Sequence, residues 1–214
     1  MSSSSPDGSP DPQTTADEPE NAGIVLSRIY TRTGDDGTTA LGDMSRVRKT
    51  SARIAAYADV DEANAALGVA MALGSLPPDM ASVLLRVQNE LFDVGADLAT
   101  PITPDPAYPP LRIDASYVTR LEADCDAANA GLEPLRSFVL PGGTPGSALL
   151  HVARTVTRRA ERSAWVLIEQ DPGSTTALPA TYLNRLSDLL FIQGRVVNGG
   201  ADVLWRPGGD RGRR

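Results

Sequence analysis

The chain has 214 residues, of which 41% are hydrophobic and 22% are charged, which is enough for one sizeable core with tails. Its formal net charge of −7 argues against nucleic acid as the main partner. One cysteine and one histidine exclude a disulfide framework and a metal site built from thiolates or imidazoles.

Both ends of the chain are predicted to be tails that flank a folded body at residues 23–205. Residues 1–22 hold five acidic residues and no basic one in a Ser- and Pro-rich composition, which is typical of disorder. Residues 206–214 carry four arginines and are typical of a short, solvated basic end. No apolar run resembles a signal peptide or a membrane span, so we expect a cytoplasmic protein.

A loop rich in threonine and glycine opens the folded body. Residues 31–39 contain four threonines, two glycines and one arginine. Glycine permits close backbone approach, threonine hydroxyls donate to phosphate oxygens and arginine neutralises charge, which favours a phosphate-binding loop. The Gly-Asp-Asp-Gly sequence is also ordinary turn chemistry, so a plain surface turn is the alternative.

Five segments then show helical periodicity, and strand signals are few. The helices are predicted at residues 51–73, 79–98, 114–130, 144–170 and 178–197. In the second segment valines and leucines from Val83 to Leu98 form a continuous apolar stripe, which places this face in a core. Asp114 is positioned to cap the third helix. Short connections between long helices favour an all-α fold, an antiparallel five-helix bundle.

The fourth helix carries a row of arginines behind a Pro-Gly-Gly turn. Arg154, Arg158 and Glu161 lie at i, i+4 and i+7 and therefore share a face. Val152, Val156 and Leu167 are expected on a neighbouring apolar side. The arginines suit bidentate binding of a polyphosphate, and an exposed, solvated helix face is the alternative.

Compact polar patches interrupt two other helices. In the fifth helix Asn184, Ser187 and Asp188 share one face beside an apolar stripe. In the first helix a file of polar and small residues comprises Tyr57, Asp61, Asn64 and Gly68. Such patches indicate either a buried polar network or a ligand site between helices, and the residues alone leave both open.

One aromatic residue stands immediately before the Pro-Gly-Gly turn. Phe138 is one of three phenylalanines in the chain. An aromatic at such a position is typical of a packing residue that anchors the turn. Nothing in the residues alone gives Phe138 a ligand-facing role.

Four ordered motifs together resemble the PduO-type ATP:cob(I)alamin adenosyltransferases. They are Ile29-Tyr-Thr-Arg-Thr-Gly-Asp-Asp-Gly, Ala56-Tyr-Ala-Asp-Val-Asp-Glu-Ala-Asn, Phe138-Val-Leu-Pro-Gly-Gly-Thr with Arg154-Thr-Val-Thr-Arg-Arg-Ala-Glu-Arg, and Tyr182-Leu-Asn-Arg-Leu-Ser-Asp. The resemblance spans residues 29–197. It implies transfer of the 5′-deoxyadenosyl group of ATP to the cobalt of cob(I)alamin, which yields adenosylcobalamin and triphosphate. It also implies a homotrimer with ATP sites at the subunit interfaces and Mg²⁺ bound through the phosphates.

The resemblance further implies a role for each matching residue. Arg158 would neutralise the triphosphate, and Glu161 with Asn184 would hold the adenosine end or orient the arginines. Asp61 of one subunit would pair with Arg154 of its neighbour. Phe138 would press against the lower face of the corrin. The ATP-binding set would comprise Tyr30, Thr31, Arg32, Thr33, Gly34, Asp36, Gly37, Thr38, Thr39, Lys49, Arg158, Glu161, Asn184, Ser187 and Asp188.

Two departures from the common family pattern affect individual phosphate contacts. Arg32 stands where lysine is frequent, and Ser163 stands where a further arginine is common. The alternative function is a non-catalytic trimer that senses ATP and delivers the cobalamin cofactor to a cobalamin-dependent mutase. If the chain is the adenosyltransferase, a reductase that supplies the electron is a further expected partner. A P-loop ATPase is excluded because Gly143-Thr-Pro-Gly-Ser lacks the required lysine.

Overall fold

The structure, a computed structural model, describes residues 30–106 and 108–208. The chain divides into two units, residues 1–32 and residues 33–214, and every helix and strand described below belongs to the second. The predicted acidic tail at residues 1–22 lies outside the described residues. The same holds for the predicted basic tail beyond residue 208.

Five helices account for most of the described residues, and each confirms a predicted segment to within one residue at either end. They are α1 (Ala52–Leu73), α2 (Pro78–Ala99), α3 (Ala115–Asn129), α4 (Pro145–Gln170) and α5 (Leu178–Val197). The predicted cap Asp114 accepts a hydrogen bond from the Ser116 amide at 2.7 Å. Thr144 caps α4 in the same way through the Ser147 amide at 3.2 Å. These side chains satisfy amides that the first turn of a helix leaves unpaired.

A small antiparallel sheet corrects the all-α prediction. Strand β1 (Thr38–Ala40) pairs with β2 (Arg46–Arg48), and Thr39 lies opposite Val47. The hairpin is held on the end of α2, because the Gly42 amide donates to the Ala99 carbonyl at 3.1 Å and Leu41 is buried. The two strands have only three residues each, Thr-Thr-Ala and Arg-Val-Arg, and carry little apolar signal, so sequence periodicity did not reveal them.

Most neighbouring helices run antiparallel, as predicted. Arg53 at the start of α1 donates to the Leu98 carbonyl at the end of α2 and to the Asp171 carboxylate just beyond α4. The pair α3 and α5 departs from this pattern and runs parallel. Tyr117 stacks edge-on against Tyr182, and farther along both helices Glu122 accepts from Arg185. The antiparallel description therefore holds for the bundle with this one exception.

The core lies between the helices and follows the predicted stripes. In α2, Val87, Leu91, Val94 and Leu98 are at most 1% exposed, and in α5 Leu183, Leu186 and Leu190 are equally buried. Val152 does not lie on an apolar side of α4 as predicted, because its side chain is 55% exposed. No helix in the described ranges combines the length and apolar character needed to cross a membrane.

A buried carboxylate joins three helices in a network that the sequence analysis did not identify. Glu90 of α2 is 5% exposed and accepts hydrogen bonds from Arg86, Arg120 and the Tyr182 hydroxyl. Burial, followed by the neighbouring Glu90 carboxylate, raises the pKa of Tyr182. The hydroxyl therefore stays protonated and donates. Because the buried Glu90 carboxylate and the Tyr182 hydroxyl satisfy each other's hydrogen-bonding capacity, the network fixes α2, α3 and α5 relative to one another.

Candidate active site

The threonine- and glycine-rich loop is an ordered turn that leads into β1. The Asp36 carboxylate accepts from the Thr38 amide at 2.9 Å and from its hydroxyl at 2.8 Å. These hydrogen bonds lower the pKa of Asp36 and keep it ionised. Arg46 donates to the Thr33 carbonyl at 2.7 Å and to the Thr38 hydroxyl. Arg46 therefore fixes the loop, and the sequence analysis missed this role.

The predicted partner of this loop, Lys49, lies against it. The Lys49 amide donates to the Gly37 carbonyl at 2.9 Å. A Cβ placed on Gly34 would lie 3.1 Å from the Lys49 Nζ and 2.9 Å from the Thr38 carbonyl oxygen. Gly34 thus lets the ammonium approach the backbone, and Gly37 takes a positive φ of 80° that favours glycine. The turn thus brings the Lys49 ammonium close to the backbone that leads into the half-buried Thr38 and Thr39.

Three residues of the predicted ATP-binding set belong to the other unit and are described separately. Arg32 has a φ of 63°, and its guanidinium lies 5.7 Å from the ring centre of Tyr30. Such an arrangement is a cation–π contact. Thr31 follows Tyr30 and is exposed. Ile29, the first residue of the recognised motif, lies outside the described residues.

The two arginines of the α4 row have no acidic partner in residues 30–106 and 108–208. Arg154 is half-buried and Arg158 is exposed, and neither makes an ion pair within the described part of the chain. Burial, together with the nearby Arg158 guanidinium, lowers the pKa of Arg154. Arg159, in contrast, pairs with Asp59 and Glu62 of α1. The row thus offers two cations whose charge remains available to an anionic ligand or to another subunit.

The predicted residues of α5 meet α4 through an amide–carboxylate contact. Asn184 Nδ2 donates to Glu161 Oε1 at 3.1 Å, and the Arg185 guanidinium donates to the Asn184 amide oxygen at 2.8 Å. The buried Ser187 hydroxyl donates to the Asn184 carbonyl at 2.8 Å. Asp188 lies 3.6 Å from Arg185 and is more exposed. Glu161 is therefore held by Asn184 and does not neutralise Arg158.

The polar file of α1 is split between the interior and the surface. Asn64 is buried and donates from Nδ2 to the Gln88 carbonyl at 3.0 Å. Asp61 is exposed and makes no ion pair within the described residues. It lines a cavity of about 430 Å³ whose wall is mainly apolar and includes the 72% exposed Phe92. An exposed apolar surface of this kind is a feature of protein interfaces.

Phe138 does not pack into the core, contrary to what its position before a turn indicates. Its side chain is 77% exposed, and it lines a cavity of about 570 Å³ together with Arg154 and Phe191. The remaining lining residues are Leu135, Ser137 and Val139. An exposed aromatic on the wall of an apolar cavity suits contact with a flat, hydrophobic ligand.

Within one protomer the loop and Phe138 are far apart. The hairpin is held on the end of α2, and this end of the bundle also contains Asp171. Phe138 shares its cavity with Arg154 of α4, seventeen positions before Asp171, the residue that directly follows this helix. Seventeen residues of α-helix span about 26 Å. One chain by itself therefore does not bring these two parts of the candidate site together.

Comparison with known proteins identifies the chain. The sequence model of a family described as Cobalamin adenosyltransferase matches residues 29–197. The chain belongs to this family. It is 67% identical over 188 residues to the corrinoid adenosyltransferase of Mycobacterium tuberculosis (strain ATCC 25618 / H37Rv), covering 88% of this chain and 97% of that protein. It is 42% identical over 174 residues to the corrinoid adenosyltransferase of Bacillus subtilis (strain 168), covering 80% and 86% of the two chains.

Solved structures of a PduO-type ATP:corrinoid adenosyltransferase from Lactobacillus reuteri share the fold of this family member. A variant complexed with cobalamin and ATP matches with a TM-score of 0.77 at 34% identity and covers 84% of this chain and 99% of that one. Another variant, complexed with ATP, matches with a TM-score of 0.73 at 33% identity and covers 83% and 100%. The family resemblance is confirmed, and so is the five-helix bundle, to which the structure adds the small two-stranded sheet.

Two residues near the arginine row of this cobalamin adenosyltransferase family member were missed by sequence reasoning. His151 is 2% exposed, and its Nδ1 accepts from Arg154 Nε at 3.3 Å. Trp205 lies 5.9 Å from Phe138, measured between ring centres. His151 precedes Arg154 by one helical turn, a spacing that could have suggested contact. Trp205 follows the last predicted helix, and no sequence pattern linked it to Phe138.

Proposed function

We propose that this chain transfers the 5′-deoxyadenosyl group of ATP to the cobalt of cob(I)alamin and releases inorganic triphosphate. Membership of the cobalamin adenosyltransferase family is the observation that carries this proposal. The named relatives are corrinoid adenosyltransferases, and the related Lactobacillus reuteri structure is complexed with both cobalamin and ATP. The chemistry is a nucleophilic substitution at C5′, in which cobalt forms the new bond to carbon and the C5′–O bond breaks.

The triphosphate of ATP is assigned to the loop and to the arginine row. Thr33 and Thr39 supply hydroxyl groups, and Thr38, whose amide and hydroxyl donate to Asp36, shapes the loop beside them. Lys49 supplies an ammonium close to Gly34, and Arg158 supplies a guanidinium that has no ion pair in the described residues. Anions of this kind are bound by backbone amides and cationic side chains. Tyr30, Thr31 and Arg32 precede the loop in sequence and are kept in the proposed ATP-binding set on the family resemblance alone. Gly34, Asp36 and Gly37 set its shape.

The other end of ATP is assigned to the contact between α4 and α5. Glu161 and Asn184 are already joined at 3.1 Å, so they form a fixed polar edge for the adenosine. The Ser187 hydroxyl donates to the Asn184 backbone carbonyl, and the Asp188 carboxylate pairs with Arg185 beside this contact. Mg²⁺ is proposed to bind through phosphate oxygens of ATP, the mode usual for this ion at nucleotide sites. The residues described contain no cluster of three or more His, Cys, Asp or Glu side chains suited to a metal ion.

The complete site is proposed to form between subunits of a homotrimer. Reacting atoms must approach to about 3–3.5 Å before bond formation. The separation of about 26 Å along α4 between the loop end of one chain and its Phe138 cavity argues that a neighbour supplies one of the two parts. Arg154 is half-buried and Asp61 is exposed, and neither has an ion pair among the residues that the structure describes. Pairing of Asp61 with Arg154 of the adjacent subunit would satisfy both charges and join the two parts.

Phe138 is proposed to lie under the corrin ring. Its exposed ring would fill the space that water or the dimethylbenzimidazole base takes as the lower ligand of cobalt. Loss of that ligand favours reduction of cob(II)alamin to the nucleophilic cob(I) state. The Lactobacillus reuteri structures vary a phenylalanine and an arginine twenty positions apart, the same separation as Phe138 and Arg158. This spacing supports both assignments.

Catalysis follows from charge that grows on the leaving triphosphate. Arg158, Lys49 and the loop donors face an anion whose charge is larger in the transition state than in bound ATP. They therefore stabilise the transition state more than the ground state. Because the nucleophile is a metal centre without a proton to lose, the reaction needs no general base. A handover of product to a mutase and an electron supply from a reductase remain compatible with this role, and a cytoplasmic location stays a prediction.

Anaerobic incubation of the purified full chain with chemically generated cob(I)alamin and ATP tests the proposal. The cob(I)alamin absorption should disappear and the adenosylcobalamin spectrum should appear, and omission of ATP should abolish the change. A non-catalytic carrier would bind both ligands and leave the spectrum of cob(I)alamin unchanged.

A further inference from the structure

The chain beyond α5 turns back and pairs with the segment that carries Phe138. We call residues 201–205 the C-terminal strap. The Trp205 amide donates to the Phe138 carbonyl at 2.7 Å, and the Leu140 amide donates to the Val203 carbonyl at 2.7 Å. Val139 and Leu204 form an antiparallel bridge between these two bonds. The strap therefore fixes the backbone on both sides of Val139, directly after the Phe138 Cα.

The pairing also brings two aromatic rings together. The rings of Phe138 and Trp205 are inclined at 64° with centres 5.9 Å apart, an edge-to-face arrangement. The Ser137 hydroxyl donates to the Trp205 carbonyl at 2.8 Å and adds a third link. Trp205 is 44% exposed, so its ring faces solvent on one side and Phe138 on the other. The exposed Phe138 ring is thus in edge-to-face contact with the Trp205 ring, and this contact restricts its orientation.

The strap is anchored in the bundle by buried groups. Arg195 of α5 pairs with Asp202 at 2.8 Å, and both side chains are less than 8% exposed. The same guanidinium donates to the Glu133 carbonyl at 2.8 Å, in the segment that leads to Phe138. Asn198 accepts from the Thr144 amide at 2.9 Å and so holds the Pro-Gly-Gly turn. Both paired segments are therefore attached to the end of α5 and have a defined register.

From this arrangement we propose that Trp205 is a positioning residue that sets the orientation of Phe138 beneath the corrin. The proposal rests on the assignment of Phe138 made above. Phe138 lies outside the helices and is 77% exposed, and a side chain in that situation changes rotamer readily unless a neighbour restrains it. Trp205 provides that restraint, and the exposed side chains of Val203 and Leu204 extend the apolar surface around it.

The test compares Trp205→Ala and Trp205→Phe in the full chain, with Trp165→Ala as the matched control. Trp165 is the other tryptophan of the chain, is 39% exposed and lies on α4. Each protein is loaded with cob(II)alamin and ATP, and electron paramagnetic resonance gives the fraction of four-coordinate cobalt. We expect Trp205→Ala to lower this fraction at least threefold with ATP affinity unchanged in calorimetry, whereas Trp205→Phe retains most of it and Trp165→Ala all of it.

A four-coordinate fraction in Trp205→Ala equal to that of the parent overturns the proposal. If Trp205→Ala does not fold, Ser137→Ala serves instead, because it removes only one hydrogen bond to the strap and should lower the fraction in the same direction; an unchanged fraction there also overturns it. Phe138→Ala is run beside them. If that variant keeps the signal, the role of Phe138 and this inference both fail, whereas ATP-dependent adenosyl transfer can still be measured and the proposed reaction stands.

Discussion

Arg158→Ala tests whether Arg158 binds the triphosphate or is an ordinary surface arginine. The guanidinium lies on α4, is exposed and has no ion pair within the described residues, so its removal breaks no salt bridge there. Loss of one preorganised donor to a developing anion costs about 2.7–4 kcal/mol of transition-state stabilisation. This corresponds to a fall in kcat of about 100- to 1,000-fold.

The neighbouring Arg159 supplies the matched control. Arg159 lies on the same helix but is paired with Asp59 and Glu62 of α1. Exposed ion pairs of this kind contribute roughly 0–1 kcal/mol to stability and nothing to phosphate binding. Arg159→Ala should therefore keep a rate close to that of the parent chain.

The assay is steady-state formation of adenosylcobalamin under anaerobic conditions, with thermal unfolding measured in parallel. A loss confined to kcat in Arg158→Ala, with an unfolding midpoint close to that of the parent, supports the assignment. Lysine at position 158 should recover only part of the rate, because it retains the charge but not the bidentate geometry. Equal losses in Arg158→Ala and Arg159→Ala would refute the reasoning.

Three further predictions concern the loop, the subunit interface and the single histidine. Gly34→Ala should weaken ATP binding in calorimetry, since its methyl group would lie 2.9 Å from a carbonyl oxygen of the hairpin, whereas Gly131→Ala has open space and should bind as the parent does. Asp61→Arg should reduce both trimer assembly in light scattering and turnover, and the double variant Asp61→Arg with Arg154→Asp should restore assembly; no recovery would argue against the pair. Burial, and after it the Arg154 guanidinium, lower the pKa of His151 in the folded chain. At a pH between the folded and the unfolded pKa, His151 is therefore neutral in the folded chain and protonated in the unfolded chain. The free energy of unfolding should keep its full value above about pH 6.5 and should fall below that pH, by up to about 1.4 kcal/mol per pH unit. In urea unfolding, His151→Asn should make this dependence on pH weaker.

The helices could be predicted because their signals are local. Periodic apolar residues mark each helix, and Asp114 and Thr144 occupy cap positions that short-range hydrogen bonds define. The parallel contact between α3 and α5 could not be predicted in this way. It depends on where α5 packs after the long α4, and no local pattern encodes that choice.

Two contacts within the candidate site join residues that the resemblance had grouped together. Lys49 lies against the loop at Gly34, and Glu161 accepts from Asn184, whereas the binding roles of these residues stay predictions. Sequence reasoning missed the hydrogen bonds from Arg46 to the loop and the C-terminal strap that carries Trp205. Both depend on contacts between segments that are separated by turns or are distant in sequence. Val152 was placed wrongly, since a periodic pattern does not show which face of a helix is covered.

The measurement that tests the central claim most directly is a product balance for one turnover mixture. Cob(I)alamin and ATP are incubated anaerobically with the chain, and adenosylcobalamin, triphosphate, ADP and phosphate are quantified together. Substitution at C5′ predicts one triphosphate for each adenosylcobalamin and no ADP. Formation of ADP and phosphate without a cobalt–carbon bond, or the absence of any product at saturating ligands, would contradict the account.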